Sequence, residues 1–228
     1  MVRSLDARGL LPPSSQEGPK GHGAADDAGS GTDATCAAGL RAARLPARFE
    51  ALRPHALADR LLLLDVAHNE PSVAALTASV VAEYGREARV VVIFGANRDK
   101  DVPAVLAALG TGLGPTLRAG IAVSSSHPKS LEPSAIVDAA AAAAMVGCGG
   151  ARVEWTAAET MHQALDLAMA ACARAGAGDC VITDDVVLCC GSVFVAASMR
   201  EAIARAEPEL FPPADWVHDA ADEPPLVM

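Results

Sequence analysis

Four consecutive leucines, Leu61 to Leu64, break any helical alternation of polarity and read as a short strand buried on both faces. The run stops at Asp65, His68 and Asn69, after which Val73, Leu76, Val80 and Val81 recur at helical spacing. Asn69 is a good N-cap and Pro71 suits a first helical turn, so the spacing predicts a helix over 71–84. The alternation then repeats. A doubly buried strand over 88–94 leads through the polar loop 95–101 to a helix from Val102 to Leu109. A third strand over 119–125 ends in the polar run 124–130, ahead of an alanine-rich helix from Pro133. A short strand is expected over 152–155. Thr156 with Glu159 three residues on has the capping-box form and predicts a helix as far as Ala175. A last core strand over 185–190 meets Gly191 and Ser192, then a helix with Val195, Met199 and Ile203 on one side.

Strands alternating with helices predict an α/β, Rossmann-like fold, a mostly parallel sheet with helices on both faces. In such a sheet the carboxyl ends of the strands share one edge, beside helix amino termini, and ligands bind there. The loops 65–69, 95–101, 124–130 and 191–192 should therefore converge. Residues 1–43 are rich in Gly, Ser, Pro, Asp and Ala with no apolar period, and are expected to be a disordered leader or linker. The folded domain is expected over 44–206, and 207–228 as an irregular, acidic, proline-rich tail.

Composition narrows the partners. The 228 residues are 51% apolar, enough for a real core, with much of that fraction alanine. A net charge of -10 and an aromatic fraction of 3% argue against nucleic acid and against an anionic membrane surface. No uncharged apolar stretch reaches about 18 residues, so no transmembrane span is expected. The amino terminus has neither a signal-peptide profile nor the acid-poor composition of a transit peptide. The six cysteines contain no C-x-x-C pair, which excludes the usual zinc spacings and points to buried reduced thiols. Adjacent Cys189 and Cys190 should face opposite sides of their strand. The expected location is cytoplasmic, with an organelle interior left open.

Each candidate has a plain alternative. Asp65 at a strand end fits a ribose or metal contact and equally a turn carboxylate. His68 alone is more often a hydrogen-bonded structural histidine. Lys100 between Asp99 and Asp101 reads as a solvated triple. Ser192 is most simply an N-cap, though it would also offer an anion its hydroxyl and a helix terminus. Arg48 says little by itself. Gly110-Thr111-Gly112-Leu113-Gly114 follows a helix and lacks the spacing of a phosphate loop, so it is expected to be a connector. No G-x-G-x-x-G follows the first strand, which speaks against a dinucleotide-binding oxidoreductase.

Taken in order, four fragments resemble a known family. They are Leu45-Pro46-Ala47-Arg48-Phe49-Glu50, Asp65-Val66-Ala67-His68-Asn69, Gly95-x-x-x-Asp99-Lys100-Asp101 and Gly191-Ser192-Val193-Phe194-Val195. Together they are similar to the C-terminal domain of folylpolyglutamate synthase and dihydrofolate synthase, in the Mur ligase superfamily, over roughly 45–206. Ala47 stands where the family has Gly, and the spacer from Arg48 to Asp65 is longer. Asn69-Glu70-Pro71 replaces the order Asn-Pro-Glu, and Lys129 replaces a frequent Arg. The family's glycine-rich phosphate loop, of the form G-T-x-G-K-G-[ST], is absent from this sequence.

The resemblance implies an ATP-dependent ligase that adds L-glutamate to a folate or dihydropteroate through an acyl phosphate. Arg48 and Asp65 would contact ATP, at phosphate and ribose respectively. His68 and Lys100 would be the catalytic groups, and Lys100, Ser192 and His68 would meet the glutamate. Mg2+ would be held mainly by an N-terminal ATP-binding domain supplied in cis or in trans, so this domain alone is expected to be inactive. The alternative is a non-catalytic domain of the same fold that binds nucleotide or glutamate.

Overall fold

The computed structural model describes residues 45–143, 145, 147, 150–175 and 185–211. The expected leader over 1–43 and all but the first residues of the expected tail lie outside them. The chain divides at Leu45/Pro46, and the sheet and its helices belong to the unit beginning at Pro46.

Six strands form one sheet: β1 (Glu50–Leu52), β2 (Leu61–Leu64), β3 (Arg89–Phe94), β4 (Leu117–Ala122), β5 (Glu154–Ala157) and β6 (Asp185–Cys190). Their spatial order is β1-β2-β6-β3-β4-β5. Every pairing is parallel except that of β1 with β2, an antiparallel edge not foreseen from the sequence. Between them run α1 (Glu70–Tyr84), α2 (Val102–Leu113), α3 (Pro133–Ala142), α4 (Met161–Ala175) and α5 (Val193–Ala206).

The strand side chains alternate between two cores. Leu61, Leu63 and Cys190 join one core with Val73 and Leu76 of α1, Leu106 of α2 and Ile136 of α3. Leu62, Leu64 and Cys189 join the other with Leu165 of α4 and Val195 and Met199 of α5. Helices therefore cover both faces, as the doubly apolar strands require. The two adjacent cysteines point to opposite sides.

Three expectations about elements are revised. The helix expected to end at Leu109 runs to Leu113, so the glycine-rich "connector" is its last turn. Gly112 sits there because α1 passes close: a Cβ at this position would collide with Thr77 Oγ1. The capping box expected at Thr156 is displaced by four residues. Residues 154–157 are strand, and the cap is Thr160, whose Oγ1 accepts from the Gln163 N–H at 3.1 Å. Finally, residues 207–211, expected in the tail, belong to the fold. Glu207 is buried and caps the 3-10 turn His55–Leu57, accepting from the N–H groups of His55 (2.9 Å) and Ala56 (3.3 Å). Phe211 is buried in the core shared with α5.

At the amino ends of the strands, Asp185 is buried between two arginines, Arg89 at 2.6 Å and Arg60 at 3.3 Å. One carboxylate thereby ties the starts of β2, β3 and β6. The opposite edge is left for the loops.

Candidate functional site at the carboxyl edge of the sheet

Backbone bonds pin the loops beyond β2, β3, β4 and β6 to one another. The Gly191 N–H donates to Ala67 O at 2.7 Å, and the Asp65 N–H donates to Cys189 O at 2.9 Å. Gly191 has φ 103°, and a Cβ there would run into Gly95 O, so only glycine lets the β3 and β6 loops approach. Between the β3 and β4 loops, the Arg98 N–H donates to Lys129 O (2.8 Å) and the Leu131 N–H to Ala96 O (2.8 Å). The expected convergence of 65–69, 95–101, 124–130 and 191–192 is what the fold delivers.

Asp65 is the hub of this edge. Its Oδ1 accepts from the Ala67 N–H at 2.8 Å, and its Oδ2 accepts from the Phe49 N–H, sixteen residues earlier, at 2.8 Å. The turn role weighed for Asp65 is thus real. It does not exhaust the carboxylate, because each oxygen keeps a second lone pair. The bond to Phe49 also brings the turn bearing Arg48 to the end of β2. Arg48 itself is exposed and, among the described residues, unpaired.

His68 is half-buried, and its ring is fixed by a 2.9 Å bond between Nδ1 and Val66 O. A carbonyl only accepts, so Nδ1 carries the proton and the neutral ring presents the lone pair of Nε2. Just after it, Asn69 caps α1. Asn69 Oδ1 accepts from the Ser72 N–H at 3.0 Å, and Ser72 Oγ accepts in return from the Asn69 N–H at 3.1 Å. Glu70-Pro71 simply occupies the first turn, so the altered order leaves the helix start intact.

Lys100 is half-buried and makes no ion pair with Asp99 or Asp101 among the described residues. Asp101 is otherwise engaged, capping α2 through the Ala104 N–H at 3.1 Å. Lys100 thus stands half-buried between two exposed acids, Asp99 and Asp101. Ser192 is buried and caps α5, its Oγ accepting from the Phe194 N–H at 3.2 Å. It stands at the positive end of a 14-residue helix.

Other parts of this edge were not singled out from the sequence. Ser130 Oγ organises the β4 loop, meeting Ser124 Oγ and the Ser125 N–H at 2.9 Å each. The His127 ring stacks on Phe194, with centroids 4.0 Å apart. A run of Ser and one His gives no periodic signal, so only the tertiary contact identifies them.

The described thiols, Cys172, Cys189 and Cys190, take no part. Burial pushes Cys172 up to about 11, helped by the Asp185 charge, and pushes Cys189 up to about 12. Cys190 lies well above the ordinary thiol range, from burial first and then from the Cys189 and Asp65 charges. Protonated buried thiols are neither nucleophiles nor metal ligands.

Among the described residues, the cluster with metal-ligand spacing is His55, Glu207 and Glu209, with ligand atoms within 4.8 Å of one another. It lies at the opposite edge, where β1 ends beside the start of β2. Glu207 is occupied there with backbone N–H groups. No helix among the described residues is long and apolar enough to cross a membrane.

Known proteins share this sequence pattern and fold. The model of the Mur ligase glutamate ligase domain matches residues 47–193. A probable bifunctional folylpolyglutamate synthase/dihydropteroate synthase of Halobacterium salinarum is 34% identical over 193 residues, 83% of this chain but 20% of that protein. The Mycobacterium tuberculosis folylpolyglutamate synthase complexed with ADP aligns at 27% identity with a TM-score of 0.61, over 74% of this chain and 34% of that one. The bifunctional folylpolyglutamate synthase/dihydrofolate synthase of Yersinia pestis, complexed with AMPPNP and Mn ion, aligns at 25% identity with a TM-score of 0.53. It matches over 72% of this chain and 32% of that one. The chain thus spans about a fifth of the curated relative and about a third of these solved structures.

Proposed function

The chain belongs to the Mur ligase family through its glutamate ligase domain, and from that premise we propose that it is the glutamate- and nucleotide-contacting domain of an ATP-dependent amide ligase. The reaction adds L-glutamate to a folate or a dihydropteroate. The observation that carries this reading is the pinned carboxyl edge. Asp65 ties the Arg48 turn to the loop bearing His68, and the Gly191–Ala67 bond sets Ser192 beside them. The nucleotide complexes of the relatives support it.

ATP transfers its terminal phosphoryl group to the acceptor carboxylate, the glutamate amine attacks the acyl phosphate, and phosphate leaves. Negative charge grows on oxygen at each step, so fixed cations and N–H groups supply the stabilisation. Arg48, exposed on its turn, meets the nucleotide phosphates, and Asp65 offers its remaining lone pairs to ribose hydroxyls. Lys100 and the Ser192 helix terminus hold the glutamate carboxylates, the first as a point charge. His68, with Nδ1 tied down, turns Nε2 toward the incoming amine.

A divalent cation, taken as Mg2+, accompanies the nucleotide. Its protein ligands are read as lying mainly on an N-terminal nucleotide-binding domain in cis or in trans, and among the described residues the carboxyl edge has no cluster of three ligand-spaced groups. No step here runs through it.

The test joins the chain to such a domain and measures ligation. Loss of one charge-assisted contact is worth about 1.5–3 kcal/mol, so Asp65→Ala should raise the KM for ATP roughly 10- to 100-fold, and Lys100→Ala the KM for glutamate by a similar factor. Unchanged kinetics in both variants would overturn the assignments. A domain that only binds would show saturable ATP or glutamate heats in calorimetry, with no product in the joined protein.

A further inference from the structure

Arg48 sits on a turn whose backbone is unusual for its residues. Ala47 and Phe49, on either side, both take left-handed backbone, at φ 54° and 51°. That conformation costs a residue with a Cβ about 1–2 kcal/mol, so something must hold it. Asp65 accounts for Phe49. Ala47 is held by a second carboxylate: its N–H donates to Glu50 Oε2 at 2.7 Å.

Glu50 is not placed by its own strand alone. Arg200, on α5, donates from Nε to Glu50 Oε1 at 3.2 Å and to Oε2 at 3.1 Å. The pair is largely screened from water, with the Arg200 and Glu50 side chains 10% and 18% exposed. The guanidinium lies 4.5 Å over the Phe211 ring, which closes it from behind. A carboxylate so placed needs its cation, because removing one partner leaves an uncompensated, partly buried charge. The chain of contacts therefore runs from Phe211 through Arg200 and Glu50 to the Ala47 N–H, one residue from Arg48.

The same helix begins at Ser192. Eight residues separate Ser192 from Arg200, about 12 Å along the axis. One rigid element thus fixes the proposed glutamate contact at its start and braces the proposed phosphate contact further along.

We propose that Glu50 and Arg200 are positioning residues for Arg48, holding its left-handed turn so that the guanidinium is presented to the nucleotide. This rests on the reading of Arg48 as a nucleotide contact. Neither residue touches substrate. The pair acts through the Ala47 backbone.

The experiment uses the chain joined to a nucleotide-binding N-terminal domain and compares Arg48→Ala, Glu50→Gln, Arg200→Leu and Arg200→Lys. Glu50→Gln keeps an oxygen for the Ala47 N–H and removes the charge that Arg200 meets. In Glu50→Gln and Arg200→Leu, the KM for ATP should rise about tenfold while kcat and the KM for glutamate change less than about twofold. Arg200→Lys should recover at least half of the loss on a logarithmic scale. In an Arg48→Ala background the Arg200→Leu effect should disappear. If Arg200→Leu fails to fold, Glu50→Gln carries the same test. An effect of Arg48→Ala on the KM for ATP together with silent Glu50→Gln and Arg200→Leu overturns the brace alone. Lower thermal stability with an unchanged KM also overturns it, leaving the pair merely structural. A silent Arg48→Ala overturns the nucleotide reading and the proposal with it.

Discussion

At the scale of the residue, the chemistry of this edge depends on which atoms are already used. Asp65 spends one lone pair of each oxygen on backbone N–H groups, and His68 spends Nδ1 on Val66 O. Sequence reasoning brought both residues to the strand end but could not divide structural from ligand-facing capacity, because that division is made by partners distant in the chain or by loop geometry. The assignment of Nε2 is open to a direct check. In 15N-labelled protein at about pH 8, long-range 1H–15N correlation should show His68 Nδ1 as the protonated nitrogen and Nε2 as the pyridine-like one. A protonated Nε2 in the neutral ring would remove the lone pair that His68 turns toward the amine.

Elements were legible where their signals are local. Residues 61–64, 90–94 and 186–190 are continuous apolar runs, and the Asn69 cap is written in adjacent residues. The failures share one physical origin. β1 is three residues long and exists by pairing with β2, so no periodicity of its own announces it. The α4 cap moved from Thr156 to Thr160 because β5 pairs with β4 as far as Ala157, and tertiary pairing overrode a local motif. The end of α2 was hidden because glycine usually marks a stop, whereas Gly112 marks close packing against Thr77. Gly112→Ala should therefore destabilise the fold by about 1–3 kcal/mol despite alanine's better helix propensity. Thr77→Ala should relieve part of that cost, since it removes the hydroxyl oxygen in the way and leaves the Cβ at 2.6 Å. Urea unfolding of the single and double variants measures both.

Across the whole molecule, helices on both faces of the sheet could be anticipated from doubly apolar strands, and so could the common edge where four loops meet. The Arg60–Asp185–Arg89 knot and the Glu50–Arg200 pair could not, since each joins residues about a hundred or more positions apart. The buried thiols give the fold a global pH signature. Their folded-state values lie above the unfolded value of about 8.5, so the unfolded chain loses these protons first. Their contribution is complete below about pH 8.5 and is lost as pH rises through about 11 for Cys172 and about 12 for Cys189. The urea midpoint should fall steadily above about pH 9, and iodoacetamide should label these cysteines only as the chain unfolds. Ready labelling in the native state at about pH 8 would contradict their burial.

The strand order carries a consequence for how the chain is made. β6 lies between β2 and β3 and is the last of the six strands in sequence. When β2 has been synthesised, its parallel neighbour is still about 120 residues away, a wait of about 6–25 s at ordinary elongation rates. Through that interval β2 and β3 cannot complete the sheet, and Arg60 and Arg89 have no Asp185 to meet. Closure of the centre is the late event, and the apolar runs of β2 and β3 are the surfaces a chaperone would find first.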